Sequence, residues 1–202
     1  GQICISVNRI YVADEVAEAF ADELVARAEG FKIGSGLDPD VDLGPMFSRE
    51  QRDKTRAHIA DAIEKGAELL SGGREPEGEA YEKGYFFLPT VLCRADHNMR
   101  VMRDETFGPV APLMKSKRLE AAISLANDSP YGLAAYLFTN SLKTALQAAE
   151  GLEAGGIGVN VNNVVDLQSP FGGWKESGLG RELGRWGLES YMETKHIRLG
   201  MG

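Results

Sequence analysis

Helix-like and strand-like segments alternate along the whole sequence, and this alternation limits the fold more than any other feature. Residues 5–12 form an apolar run typical of a strand, and residues 14–30 repeat apolar side chains at helical spacing before a glycine. Such an alternation predicts an α/β fold, in which helices flank an open, mostly parallel sheet.

The rest of the chain continues this pattern. The segment SREQ predicts a capping box, in which Ser48 begins a helix that reaches Gly66 and Gln51 lies three residues after the cap. We expect residues 1–188 to form one domain. Residues 189–202, which end in TKHIRLGMG, are either a fraying tail or a strand that pairs with another subunit, and we expect the pairing. The other predicted elements are strands at 68–70, 85–92, 132–139 and 155–161, and helices at 119–126 and 141–150.

Composition and charge exclude several classes of protein. The net charge of −8 disfavours a nucleic-acid partner, which needs clustered basic side chains, and no apolar run has the length of a membrane span. The two cysteines lie far apart in the sequence, which favours a reducing compartment such as the cytoplasm over a disulfide framework. We predict no metal site. The sequence enters an apolar run at once, which is typical of a piece of a longer protein.

Two cysteines are candidates for covalent chemistry. A lone cysteine is more often a small buried side chain than a nucleophile. Cys93 ends an apolar run, so we expect it to be structural. Cys4 lies in the segment GQIC, and a thiol there acts as a nucleophile only as its thiolate.

Two further segments combine polar and glycine residues. In DETFGPV, Glu105 is either a solvated loop residue or an acceptor for sugar hydroxyls, a role that suits a carboxylate. The glycines of PFGGWKESGLGREL, residues 170–183, indicate a backbone that must approach something closely. A dinucleotide fingerprint is rejected there, because GLGREL has only two of its three glycines.

Taken in order, the motifs GQIC with Arg9, LGP, ETFGPV, NDSPYGLAAYLFT, GGIGVNV and SPFGGWKESGLGRELG resemble the C-terminal portion of aldehyde dehydrogenases. The resemblance covers nearly the whole chain. It implies that Cys4 attacks an aldehyde to give a thiohemiacetal, that hydride passes to NAD or NADP, and that water hydrolyses the resulting thioester. It also implies that the backbone N–H of Cys4 helps to hold the oxyanion.

The resemblance assigns further residues to cofactor and substrate. Glu105 and Phe107 match positions at the nicotinamide ribose, and Gln51 and Lys54 match positions at the adenosine ribose. Gln51 has a sufficient role in the capping box, and Lys54 is equally well explained as a surface lysine. The positions that match the aldehyde tunnel of the family are Ile3, Ile5, Val165 and Phe171.

The small-molecule aldehyde stays open between two classes. GQICISVNR and GLGRE resemble succinate-semialdehyde dehydrogenases, but Asp166 in NNVVDLQSP would repel a substrate carboxylate if it faced the tunnel. A broad range of aliphatic or aromatic aldehydes is the equal alternative. The family's general base, its oxyanion asparagine and its Rossmann-like domain lie upstream of GQxC, so we expect this chain alone to be inactive as a dehydrogenase.

Two other classes of function remain as alternatives. A cysteine acyl-hydrolase would need His58, His97 or His196 within hydrogen-bond reach of Cys4. A non-catalytic assembly module would use only the subunit contacts of TKHIRLG. The family resemblance favours the dehydrogenase, in a homodimer or homotetramer.

Overall fold

The computed structural model describes residues 1–202, which divide into two compact units, Gly1–Ala126 and Asn127–Gly202. The N-terminal unit contains a four-stranded sheet in the order β1-β4-β3-β2. Its strands are β1 (Ile10–Ala13), β2 (Glu68–Ser71), β3 (Thr90–Cys93) and β4 (Val110–Ser116). β4 runs parallel to β1 and β3, and β2 is antiparallel to β3, so the sheet is mixed.

Helices cover both faces of this sheet. α1 (Ala17–Glu29) follows β1 after a short 3₁₀ turn, while α2 (Arg49–Glu64) and α3 (Arg100–Arg103) complete the layer on the other side. Adjacent residues of β3 divide between the two cores: Val91 packs with α1 and Leu92 packs with α2 and α3. This alternation is the physical basis of the predicted α/β fold, because each face of a pleated strand carries every second side chain.

The C-terminal unit contains two small two-stranded sheets. α4 (Leu119–Asn127) leads into it, and β6 (Ala134–Leu137), α5 (Leu142–Gly151) and β7 (Gly156–Val159) form a parallel strand–helix–strand unit. β5 (Tyr131–Gly132) pairs antiparallel with β8 (Trp174–Lys175), and α6 (Gly184–Glu189) is the last helix. None of the helices in either unit combines the length and apolar content that spanning a bilayer requires.

The predicted helices at 14–30, 48–66, 119–126 and 141–150 are confirmed within a few residues, the first with a 3₁₀ start. Four predicted strands are shorter, and the one at 155–161 is reduced to Gly156–Val159. The run at 5–12 is strand only from Ile10, because residues 3–6 turn back with a hydrogen bond from Ser6 N to Ile3 O of 2.8 Å. The run at 85–92 is strand only from Thr90, after Pro89, and the run at 132–139 divides into β5 and β6.

The strand predicted at the end of the chain was expected to pair with another subunit, and that pairing stays a prediction. The segment after α6 has no regular secondary structure, and every residue from 191 to 202 is exposed. Its alternating apolar residues have no strand beside them within the chain, and a strand without a partner leaves its backbone hydrogen bonds to water. The domain division at 188 and 189 stays a prediction.

Candidate active site

Cys4 lies in a tight turn at the edge of the N-terminal unit. The turn runs from Ile3 to Ser6, and the Cys4 side chain is exposed. Ile3 is 64% exposed, so the apolar residues here do not form a core. A thiol held on a turn in contact with solvent is accessible to a small electrophile, which the buried end of a strand would not allow.

Cys93 has the opposite setting. It ends β3, packs beside the core under α1 and is half-buried. Burial raises the pKa of its thiol, and the nearby carboxylate of Glu68 adds to this effect. Both effects disfavour a thiolate, which agrees with the structural role predicted for Cys93.

The loop 104–108 faces the Cys4 turn. The two segments line one pocket whose walls include Ile3, Cys4, Asn8, Glu105 and Phe107. Glu105 is exposed at this pocket, and Phe107 has a left-handed backbone with φ 53°. Four of the predicted site residues therefore meet in one place, although they come from segments about a hundred residues apart.

Helix α2 holds this loop from one side. Gln51 Nε2 donates to the carbonyl oxygens of Thr106 at 2.5 Å and Phe107 at 3.0 Å, and Lys54 Nζ donates to the Glu105 carbonyl at 3.0 Å. Ser48 caps α2 as predicted, since its Oγ accepts the Gln51 backbone N–H at 3.2 Å. The Gln51 side chain, however, binds the carbonyls of loop 104–108. It does not make the return hydrogen bond to the cap that a capping box would have.

Two contacts with Thr106 escaped the sequence analysis. The side chain of Asn8 accepts from Thr106 N at 3.1 Å and donates to Asp104 O at 3.3 Å. His58 on α2 is buried, and its Nδ1 lies 3.1 Å from Thr106 Oγ1. Neither lies in a local pattern that suggests a site, because their partners are 98 and 48 residues away in the sequence.

The structure does not bring a histidine to Cys4 within the N-terminal unit. His58 contacts Thr106, and His97 lies 2.8 Å from the hydroxyl of Tyr11. Neither residue lines the pocket that contains Cys4. Neither His58 nor His97 is therefore placed to act as the base that an acyl-hydrolase mechanism requires.

The other three predicted tunnel residues do not line the pocket of Cys4. Ile5 lies in the Cys4 turn and is half-buried. In the C-terminal unit, Val165 is 41% exposed and follows an Asn163 side chain that bonds its backbone. Phe171 pairs with Glu182 through two backbone hydrogen bonds of 2.8 and 2.7 Å. Asp166 accepts the backbone N–H of Gln168 at 3.0 Å, so its carboxylate stabilises a local turn.

The glycines of residues 170–183 make close approaches within the chain itself. A side chain at Gly172 would collide with the Gly180 carbonyl at 2.6 Å, and one at Gly155 would overlap the Gly172 carbonyl. Arg181 adds hydrogen bonds to the carbonyls of Gly173 and Gly180. The close approach predicted from the glycines is thus an approach of backbone to backbone in the same unit.

The pocket has the chemistry that a nicotinamide ribose would need. Glu105 offers an exposed carboxylate that can accept hydroxyl hydrogens, and Phe107 offers an apolar face beside it. Both lie at the pocket of Cys4. The residues present therefore fit a nucleotide cofactor whose reactive ring would lie near the thiol.

Comparison with known proteins gives consistent matches over the whole chain. The sequence model of the aldehyde dehydrogenase family matches residues 1–197. A probable succinate-semialdehyde dehydrogenase [NADP(+)] of Sinorhizobium fredii is 42% identical over 99% of the chain and 40% of its own length. The 3-sulfolactaldehyde dehydrogenase of Pseudomonas putida is 43% identical, again over 99% of the chain and 40% of its own length.

Solved structures agree with these matches. The betaine aldehyde dehydrogenase of Staphylococcus aureus, in complex with NAD+, superposes with a TM-score of 0.93 at 38% identity, covering 97% of this chain and 39% of that chain. The chain spans about 40% of the length of the curated relatives it matches. The position of this span within the full-length relatives stays a prediction.

Proposed function

The chain belongs to the aldehyde dehydrogenase family, and from that premise we propose that the protein containing it oxidises an aldehyde to a carboxylic acid with NAD or NADP. The observation that carries this proposal is the pocket shared by Cys4, Glu105 and Phe107. It combines an accessible thiol, a carboxylate suited to sugar hydroxyls and an aromatic side chain.

In the proposed reaction the Cys4 thiolate attacks the aldehyde carbon and forms a C–S bond. The carbonyl oxygen becomes an oxyanion, which the backbone N–H of Cys4 helps to stabilise. A nicotinamide cofactor, when bound, accepts the hydride. Water then cleaves the thioester on Cys4 and regenerates the thiol. Cysteine suits both steps, because a thiolate adds readily to a carbonyl and leaves readily from a thioester.

The roles of the surrounding residues follow from their positions. Glu105 would hold the ribose of a nicotinamide cofactor and Phe107 would pack beside it, which would orient the cofactor at the pocket of Cys4. Gln51 and Lys54 would act first on the loop that carries these two residues, since both donate to its carbonyls. A direct contact of either with the adenosine ribose is the additional proposal. Ile3, Ile5, Val165 and Phe171 would line the aldehyde tunnel.

For the substrate we propose an aldehyde that carries an acid group. The named substrates of the two relatives, succinate semialdehyde and 3-sulfolactaldehyde, both carry an anion beside the aldehyde. Asp166 weighed against this class in the sequence. Its carboxylate is engaged in a local turn with Gln168, which accounts for an acidic residue there.

The test is the pair Cys4→Ser and Cys93→Ala in the full-length gene product. We expect Cys4→Ser to lower kcat at least about a thousandfold, because a nucleophile is lost, and Cys93→Ala to stay within about twofold. Limiting iodoacetamide should label Cys4 before Cys93, whose thiol pKa is raised. Assays with succinate semialdehyde and with butanal decide the substrate class. Full activity in Cys4→Ser would overturn the nucleophile assignment.

We propose further that residues 189–202 pair with the sheet of a second copy in a homodimer or homotetramer. The support is the exposed, alternating segment at the end of the chain, with Ile197 71% and Leu199 83% exposed. Deleting residues 193–202 should lower the molar mass of the particle in solution to that of a smaller assembly. An unchanged molar mass, measured by light scattering, would contradict the pairing.

A further inference from the structure

We propose that Asn8 is a positioning residue that holds Glu105 at the pocket and thereby sets the affinity for the nucleotide cofactor. The inference rests on the proposed function, since it concerns the same pocket. It adds a residue to which neither the motifs nor the comparisons give a role. Two hydrogen bonds of the Asn8 side chain bracket Glu105 in the sequence.

The amide group of Asn8 binds the backbone on both sides of Glu105. Its Oδ1 accepts the Thr106 N–H at 3.1 Å, and its Nδ2 donates to the Asp104 carbonyl at 3.3 Å. Asp104 is extended, with φ −93° and ψ 151°. In an extended backbone the carbonyl of one residue and the N–H two residues later point to the same edge, so one amide side chain can bind both.

The opposite edge of the same segment is held by α2. The carbonyl of Glu105 itself points there and accepts from Lys54 Nζ at 3.0 Å. With both edges of the backbone bound, the exposed side chain of Glu105 is the part left to meet a ligand at the pocket. The backbone that carries this side chain is therefore held by Asn8 on one edge and by Lys54 on the other.

The identity of residue 8 matters for two reasons. An amide offers a donor and an acceptor on two neighbouring atoms, whereas a carboxylate lacks the donor and alanine lacks both. Residue 8 also lies four positions after Cys4, on the segment that carries the nucleophile turn. Asn8 therefore joins the segment of Cys4 to the loop of Glu105, which would hold a bound cofactor at a set distance from the thiol.

The test measures the dissociation constant of NADH or NADPH, whichever the wild type binds more tightly, by fluorescence titration of the full-length gene product. The variants are Asn8→Ala, Glu105→Ala, the double variant, and Asn98→Ala as an exposed asparagine control. We expect Asn8→Ala to weaken binding about five- to tenfold, as the loss of two hydrogen bonds suggests. Asn98→Ala should bind like the wild type.

The double variant separates positioning from general packing. If Asn8 acts through Glu105, the double variant should bind no more weakly than Glu105→Ala, because the second change removes support from a side chain already absent. Additive losses, or an unchanged affinity in Asn8→Ala, would overturn the inference. Should Asn8→Ala fail to fold, Asn8→Asp retains the acceptor for Thr106 N–H, and the same non-additivity is expected.

Failure of this inference differs visibly from failure of the proposed function. If Cys4→Ser is inactive while Asn8→Ala binds cofactor like the wild type, the dehydrogenase proposal stands and the positioning role is wrong. If the wild type binds neither NADH nor NADPH, both are overturned.

Discussion

The two loops that carry predicted site residues are held by different balances of side-chain and backbone contacts. Loop 104–108 in the N-terminal unit is bound by the side chains of Asn8, Gln51 and Lys54. Loop 170–183 in the C-terminal unit is held by the side chains of Lys175 and Arg181 and also by backbone approaches too close for any side chain. The first loop therefore depends chiefly on distant side chains, and the second depends in addition on the absence of side chains at its glycines.

This difference decides what each loop can tolerate. A polar side chain that holds a backbone carbonyl can be lost at the cost of its hydrogen bonds, about 1–3 kcal/mol each where the group left behind is buried. A glycine at a backbone contact cannot gain a Cβ unless the two segments separate. The glycine loop should thus respond to substitution with larger losses of stability, and the side-chain-held loop with smaller ones.

The largest effect is expected at Gly155. A Cβ there would overlap the carbonyl oxygen of Gly172, which belongs to backbone and cannot rotate away. We expect Gly155→Ala to lower the free energy of unfolding by roughly 3 kcal/mol or more, because the contact can be relieved only by moving the loop. Denaturant unfolding of the variant and the wild type measures the change.

Gly36→Ala is the matched control for Gly155→Ala. Gly36 also lies in a loop, but a Cβ at that position would meet nothing within 4 Å. Its free energy of unfolding should stay within about 0.5 kcal/mol of the wild type or rise slightly, since alanine restricts the unfolded chain. A loss at Gly155 no larger than the change at Gly36 would show that the second loop is not held by backbone contact.

The same contrast explains what the sequence could predict. Glycine spacing is a local signal, and it led correctly to a close approach in residues 170–183. Periodicity is local as well, and it located α1, α2, α4 and α5. The central strand β4 was missed because Pro109 and Pro112 are typical of turns, yet Pro112 is buried and pairs with Leu92 of β3.

Contacts between residues far apart in the sequence could not be predicted from local sequence patterns. Nothing in the sequence near Asn8 or His58 indicates that both side chains contact Thr106. The sequence also did not show that the Gln51 side chain binds the Thr106 carbonyl, because a place in an N-terminal cap already explained that residue. The pocket residues themselves were named from the family resemblance, and only the folded chain brings Cys4 and Glu105 to one pocket. Local patterns therefore predicted most helices, whereas the contacts that hold the site residues in place could be seen only in the folded chain.

A smaller change in the free energy of unfolding is expected from pH. It should arise beside loop 104–108, which is held by side chains. His58 lies behind this loop, 1% exposed, with Nδ1 at Thr106 Oγ1 and no hydrogen-bond partner at Nε2. Burial lowers the pKa of His58 below its ordinary value of 6.5, and the charge of Arg100 lowers it further. Asp104 acts in the opposite direction, with Oδ2 3.9 Å from Nε2.

The sign of the pH effect follows from proton uptake. Because the folded protein holds His58 neutral to a lower pH than the unfolded chain does, the unfolded chain binds more protons as the pH falls below about 7. The free energy of unfolding should therefore decrease between about pH 7 and pH 5, and the decrease should be smaller in His58→Asn. Asn98→Ala, an exposed change that removes no titrating group, should leave the wild-type slope unchanged. Parallel slopes in wild type and His58→Asn would mean that the group behind loop 104–108 does not couple to stability, and the contrast between the two loops would then rest on Gly155 alone.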